Sequence, residues 1–193
     1  FEQCLAAYTF SKSYSMSGYR LGFAVAAPAV AEMIGKLVNT SLSCTPPVVQ
    51  LAGAAALDHD NAERDRNMQA FRVKVERLTA GLNRIPGFRC IEPTSTFYVF
   101  PSVAPICNRH GITSHGLAMY LLEAADDQFG VACLGGECFG DAGHGFIRFS
   151  CAEPDELIDE AVRFLPEAVN RSECVAAYLA SHPKYKLTQP YPV

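Results

Sequence analysis

The chain has 193 residues, 49% of them hydrophobic, and a formal net charge of -4. That length fits one ordinary domain or one and a half, with enough apolar residues for a sizeable core. The mild acidity and the lack of any Lys/Arg run leave no footprint for nucleic acid, and no apolar run approaches the roughly 20 residues of a membrane span.

In chain order, LAAYTFS (5–11) predicts a strand. YRLGFAVAA (19–27) predicts a second, so continuously apolar that burial on both faces is expected. Pro28 opens a predicted helix over 28–39, because proline suits a first helical turn. Pro47 opens a small-residue helix, VVQLAGAAAL, which should pack closely. A long amphipathic helix is predicted over 61–84, with Met68, Phe71, Val75, Leu78 and Leu82 on one face.

FRCIEP, FYVFPSV (97–103), GVACL (130–134) and FIRFSCA (146–152) predict four more strands, with a helix over 113–125 among them. Pro154 opens the last amphipathic helix, whose apolar face holds Leu157, Ile158, Ala161, Val162 and Leu165. Residues 171–193 predict a short helix and an extended end. Strands alternating with helices place the chain in the α/β class. The expected organisation is 1–60, 61–170 and a tail over 171–193.

The eight cysteines include no CxxC pair and are too sparse for a disulfide scaffold. They are expected to be reduced, mostly buried small hydrophobes. With no basic flank before an apolar stretch at the N-terminus, a cytoplasmic location is expected. Cys107, His110 and His115 have zinc-like spacing, but no fourth ligand is suitably placed and no metal is expected. His144, in a glycine-rich loop, is expected to be a surface residue. No valid GxGxxG or GxxxxGK stretch is present.

FSKSYSMSGYRLGF (10–23) carries the chemistry. Lysine is a nucleophile when neutral and forms a Schiff base with an aldehyde. Arginine is a planar fork that grips phosphate through two hydrogen bonds. Lys12 and Arg20 flank Ser13, Ser15, Ser17 and Gly18, small residues that let a ligand approach the backbone. An aldehyde and a phosphate on one small molecule describe pyridoxal 5'-phosphate, although on spacing alone a solvated surface lysine and an arginine at a strand rim are the commoner explanation.

TFSKSYSMSGYRLGF resembles the cofactor-attachment signature of the class I/II pyridoxal-phosphate aminotransferases, a family of fold type I architecture. Phe10, Ser11, Lys12, Ser15, Met16, Gly18, Arg20, Leu21 and Gly22 fit it. Thr9 stands where serine or glycine is usual and keeps a hydroxyl. NTSLSCTPPVVQLAGAAAL, VERLTAGLNRIPGFRCIEPTSTFYVFPSV and GVACLGGECFGDAGHGFIRFSCA resemble later family stretches, in the right order. Ser95-Thr96 replace a usual Gly-Ala, and Gly135 takes a proline position.

The resemblance implies part of a large-domain sheet followed by an α/β C-terminal small domain. It also implies transamination between an amino acid and a 2-oxo acid. Lys12 would hold the cofactor and move the proton, while Arg20, Thr9 and Ser11 would bind the phosphate end. Arg148 would take the substrate carboxylate, and strand alternation puts it on one face with Phe146 and Ser150. In relatives the catalytic domain begins well before the lysine and supplies further groups around the cofactor ring. The expectation is therefore a C-terminal portion that is inactive alone, needs the N-terminal half and is homodimeric when intact. Alternatives are a non-catalytic fragment or degenerate paralogue acting as an interaction module, and a lyase or aminocyclopropane-carboxylate synthase-like enzyme. RIPGFRC and FYVFP look more like the amino-acid aminotransferases.

Overall fold

The computed structural model describes residues 4–59 and 62–193. The chain divides into two compact units, Phe1–Met68 and Gln69–Val193. In the first, β1 (Ala6–Thr9) and β2 (Gly22–Val25) pair antiparallel, with Thr9 opposite Gly22. Both strands are shorter than the sequence predicts, and every residue in them is exposed rather than buried. The physical reason is that they pair only with each other among the described residues, so no sheet encloses them.

α1 (Pro28–Leu42) outruns its predicted end. The Thr40 and Ser41 hydroxyls donate to the carbonyls of Lys36 and Leu37 at 2.9 and 2.7 Å, so the polar residues are absorbed by the helix. α2 (Pro47–Asp58) buries only Gly53, contrary to the expected close packing. Val48 and Leu51 point outward because the helix touches its unit along the narrow glycine side.

α3 (Ala62–Leu82) starts in the first unit and ends in the second. Position 61 of the predicted helix lies outside the described residues. Val75, Leu78 and Leu82 are buried as their spacing predicts, whereas Met68 is exposed.

The second unit holds an antiparallel sheet ordered β3-β5-β4, from β3 (Tyr98–Val99), β4 (Leu134–Gly135) and β5 (Ile147–Ser150). Around it lie α4 (Ala104–His110), α5 (Ser114–Glu123), α6 (Asp155–Ala168) and α7 (Ser172–Ser181). Central β5 alternates as predicted. Ile147, Phe149 and Cys151 enter the core, and Arg148 and Ser150 face out. Leu157 departs from the predicted α6 face and is exposed, while Ile158 and Leu165 are buried.

One predicted strand does not form and another shrinks to its last residue, because their backbone groups are taken elsewhere. Asn83 accepts from Cys90 N–H at 2.7 Å and donates to its carbonyl at 2.9 Å, which removes FRCIEP from a ladder beyond the Arg89–Ser102 bridge. Val131 N–H donates to Leu121 O at 2.9 Å, tying GVACL to α5 and leaving a strand only at its end. The cysteines are all free, but Cys4, Cys44, Cys138 and Cys174 are exposed, so the expected burial holds for only part of the set. Among the described residues no helix is long and apolar enough to cross a membrane.

Candidate functional site

In the first unit the connection between β1 and β2 gathers the predicted cofactor residues. Phe10 N–H donates to Leu21 O at 3.2 Å, and Met16 N–H donates back to Phe10 O at 3.3 Å. Phe10 and Met16 are buried and anchor a turn whose other residues are open or half-open. Phe10 also lies against Gly53 of α2. The connection therefore hangs from two apolar pins and leaves its polar groups in solvent.

Lys12 is exposed in this turn, and its carbonyl accepts from Ser15 N–H at 3.0 Å. Thr9 Oγ1 donates to Ser11 Oγ at 2.9 Å and accepts from Ser11 N–H at 3.1 Å. Arg20 donates from its guanidinium to Ser17 O at 2.9 Å. Ser15 and Arg20 adopt φ of 54° and 53°, a left-handed region that costs a non-glycine residue about 1–2 kcal/mol. Strain of this kind clusters at functional sites. A Cβ at Gly18 would meet nothing within 4 Å, so that side of the turn is open.

In the second unit Arg148 lies on β5 opposite Leu134, with Tyr98 diagonal to it because Tyr98 pairs with Ser150. Its guanidinium carbon stands 4.1 Å from the Tyr98 ring centroid and 4.9 Å from that of Phe139. It lines a cleft of about 410 Å³ with Ile91, Pro93, Phe100 and Phe139. Among the described residues no carboxylate forms an ion pair with it, so the structural salt bridge that would otherwise explain it is absent. Rings cover part of the cation.

The loop that presents Phe139 is held by Glu137. Its Oε1 accepts from Ser114 Oγ at 2.7 Å, His115 N–H at 3.1 Å and the Tyr191 hydroxyl at 3.0 Å. Burial opposes the charge, but these hydrogen bonds outweigh it and hold the carboxyl below its ordinary value. Cys107 is buried in the core, where desolvation raises its thiol pKa, and His110 faces Val169 O at 2.9 Å. Among the described residues no group of three His, Cys, Asp or Glu could hold a metal. His144 is exposed, its ring 6.0 Å from that of Tyr191.

The model of the family "Aminotransferase class I and II" matches residues 2–165. The chain belongs to the class I and II aminotransferase family.

Curated aminotransferases resemble it at sequence level. It is 30% identical over 170 residues to an aspartate aminotransferase of Pyrococcus horikoshii, covering 87% of this chain and 41% of that protein. It is 30% identical over 155 residues to an LL-diaminopimelate aminotransferase of Dehalococcoides mccartyi, covering 80% and 37%. The solved aspartate aminotransferase of Thermus thermophilus with maleate matches at a TM-score of 0.76 and 26% identity, over 86% of this chain and 41% of that one. The chain thus spans about two fifths of the length of these aminotransferases. The fold is that of fold type I aminotransferases, in part.

Class I and II aminotransferases depend on pyridoxal 5'-phosphate, and the hairpin turn fits part of that group. Two hydroxyls, a guanidinium and an amine are donors suited to a phosphate and an aldehyde, gathered beside an open glycine. From Thr9 to Arg20 there is no acidic residue, so this turn offers nothing to the pyridine nitrogen. Tyr98 and Phe139 were not singled out from the sequence as neighbours of Arg148. Both lie in stretches that resemble the family, but their approach depends on strand register, which the sequence does not display.

Proposed function

We propose that this chain contributes the lysine, the phosphate-binding residues and the carboxylate-binding arginine of a pyridoxal-phosphate-dependent aminotransferase. The observation that supports it most is the β1–β2 connection, which collects Thr9, Ser11, Lys12 and Arg20 in one pinned turn. When bound, pyridoxal 5'-phosphate supplies a sink for the electron pair left as the substrate Cα–H bond breaks.

The chain's own residues divide the remaining work. Lys12 would hold the cofactor through its aldehyde, and its neutral amine would move the proton at the substrate α-carbon. Arg20 grips the phosphate through its fork, and Thr9 and Ser11 donate hydroxyl hydrogens to the phosphate oxygens. Arg148 holds the substrate carboxylate and so fixes which α-substituent stands where the proton leaves.

Partnership belongs to the same reading. Tyr8, Phe23, Val25, Met33 and Leu37 expose apolar surface in the first unit. We assign that surface to the remainder of the enzyme, with a homodimer as the intact form and the cytoplasm as its compartment.

The test is chemical. The chain is incubated with pyridoxal 5'-phosphate, reduced with borohydride and mapped by peptide, with Arg20→Ala as control. Selective labelling of Lys12 that disappears in Arg20→Ala is expected. Labelling scattered over the surface lysines would refute the assignment.

A further inference from the structure

Tyr191 lies near the end of the chain, beyond the family match, yet it is buried. Asn108 clasps its backbone in both directions, donating to Tyr191 O at 2.9 Å and accepting from Tyr191 N–H at 2.8 Å. Leu187 N–H to Gly111 O at 2.8 Å and Thr113 N–H to Tyr185 O at 2.9 Å bind the preceding residues down. The terminal segment is thus a strap fastened across the start of α5.

The strap ends under the loop between β4 and β5. Residues 138–142 of that loop are all exposed, with Phe139 making an edge contact to Phe100 at 5.6 Å between ring centroids. Tyr191 touches both of its ends. Its hydroxyl donates to Glu137 Oε1 at 3.0 Å and accepts from Ser114 N–H at 3.2 Å. Its ring lies so close to Gly145 that a Cβ there would stand 3.2 Å from Tyr191 Cδ2, and Gly145 already has φ of 81°. Glu137 and Phe139 share one short 3-10 turn, Gly136–Phe139, and Phe139 lies over the Arg148 guanidinium.

We propose that Tyr191 is a positioning residue for the Arg148 cleft, acting through Glu137 to hold Phe139 over the guanidinium. This rests on the assignment of Arg148 to a carboxylate only for its consequence in binding, since the contact chain stands on geometry alone. With the Tyr191–Glu137 hydrogen bond removed, Glu137 keeps its bonds to Ser114 Oγ and His115 N–H but loses its tie to the strap, which loosens the turn. Phe139 then shifts relative to the cation, which keeps Tyr98 as its other ring neighbour.

The experiment uses the 193-residue chain labelled with 15N-arginine. The Arg148 Nε–Hε signal is identified by its loss in Arg148→Lys. Its displacement by the nearby rings reports Phe139 directly and needs no ligand. Tyr191→Phe removes one hydroxyl and keeps the ring, so the fold should persist. It and Glu137→Ala are expected to move the signal toward that of a solvent-exposed arginine, in the direction given by Phe139→Leu. An unchanged Arg148 signal in folded Tyr191→Phe and Glu137→Ala overturns the proposal. Titration with pyruvate as the probe 2-oxo acid reads the consequence. Loss of one hydrogen bond should weaken it about three- to tenfold in Tyr191→Phe. Equal pyruvate affinity in wild type and Arg148→Lys would defeat the carboxylate assignment instead, leaving the Nε–Hε signal to decide the role of Tyr191.

Discussion

Arg148 and Tyr98 meet diagonally across β5 and β3, guanidinium carbon to ring centroid 4.1 Å, and among the described residues no carboxylate forms an ion pair with the cation. The ring orients a cation that shares its cleft with Glu92 but forms no ion pair with it. Arg148→Lys keeps the charge and loses the fork, so carboxylate affinity should fall by about tenfold or more while stability stays within about 1 kcal/mol. Paired pyruvate titration and urea unfolding check both halves. A stability loss that matches the affinity loss would make Arg148 a structural residue.

The hairpin offers a steric contrast between two glycines. A Cβ at Gly22 would stand 2.5 Å from the Tyr8 carbonyl oxygen, and that atom belongs to the paired backbone. Gly22→Ala should destabilise the first unit by about 1–3 kcal/mol and reduce Lys12 labelling. Gly18→Ala meets nothing within 4 Å and should change stability by less than about 0.5 kcal/mol. Thermal unfolding of the two variants side by side decides it.

Arg20 separates backbone strain from side-chain function, because it sits at φ 53°. Arg20→Gly and Arg20→Ala both remove the fork, so both should abolish selective Lys12 labelling. Glycine tolerates the left-handed region, and Arg20→Gly should be the more stable of the two by about 1 kcal/mol. Equal stability would show that the strain is not borne at this residue.

The strap carries a pH signature at both ends of the scale. Hydrogen bonds hold Glu137 below its ordinary value of 4.5, so its stabilisation is present above that pH and is lost as pH falls through the lower folded value. Burial and Glu137 push Tyr191 up from 10.0 to about 12, so its contribution is intact below pH 10 and is lost as pH rises to about 12. Melting temperatures from pH 3 to 12 should show both declines in wild type. Tyr191→Phe should flatten the alkaline one, with the residual slope owed to groups such as Tyr178, whose pKa is also raised.

Much of this protein is written locally. Pro28 and Pro47 announce helix starts because proline's fixed φ suits a first turn, and both helices begin there. Val75, Leu78 and Leu82 recur at helical spacing and are buried. The alternation of Ile147, Arg148 and Phe149 foretells which side chains enter the core. The Lys12 stretch was legible through its resemblance to the family's attachment signature rather than through its spacing, and its role is the reading proposed above.

Tertiary structure decided what depends on distant partners. FRCIEP has the composition of a strand, yet Asn83, on the preceding turn, takes the hydrogen-bonding groups of Cys90. The strand residues of the first unit look like a buried interior, yet they are exposed, since burial depends on what stacks above a sheet and no single strand contains that information. Tyr98 and Phe139 reach Arg148 from separate segments, and Tyr191 reaches Glu137 from the end of the chain, and only register and chain return bring them together. The sequence alone determined which side-chain chemistries are present and in what order, because that follows from residue identity. Only the folded chain decided which neighbours orient them, because orientation arises from contacts made across the sheet and along the terminal strap.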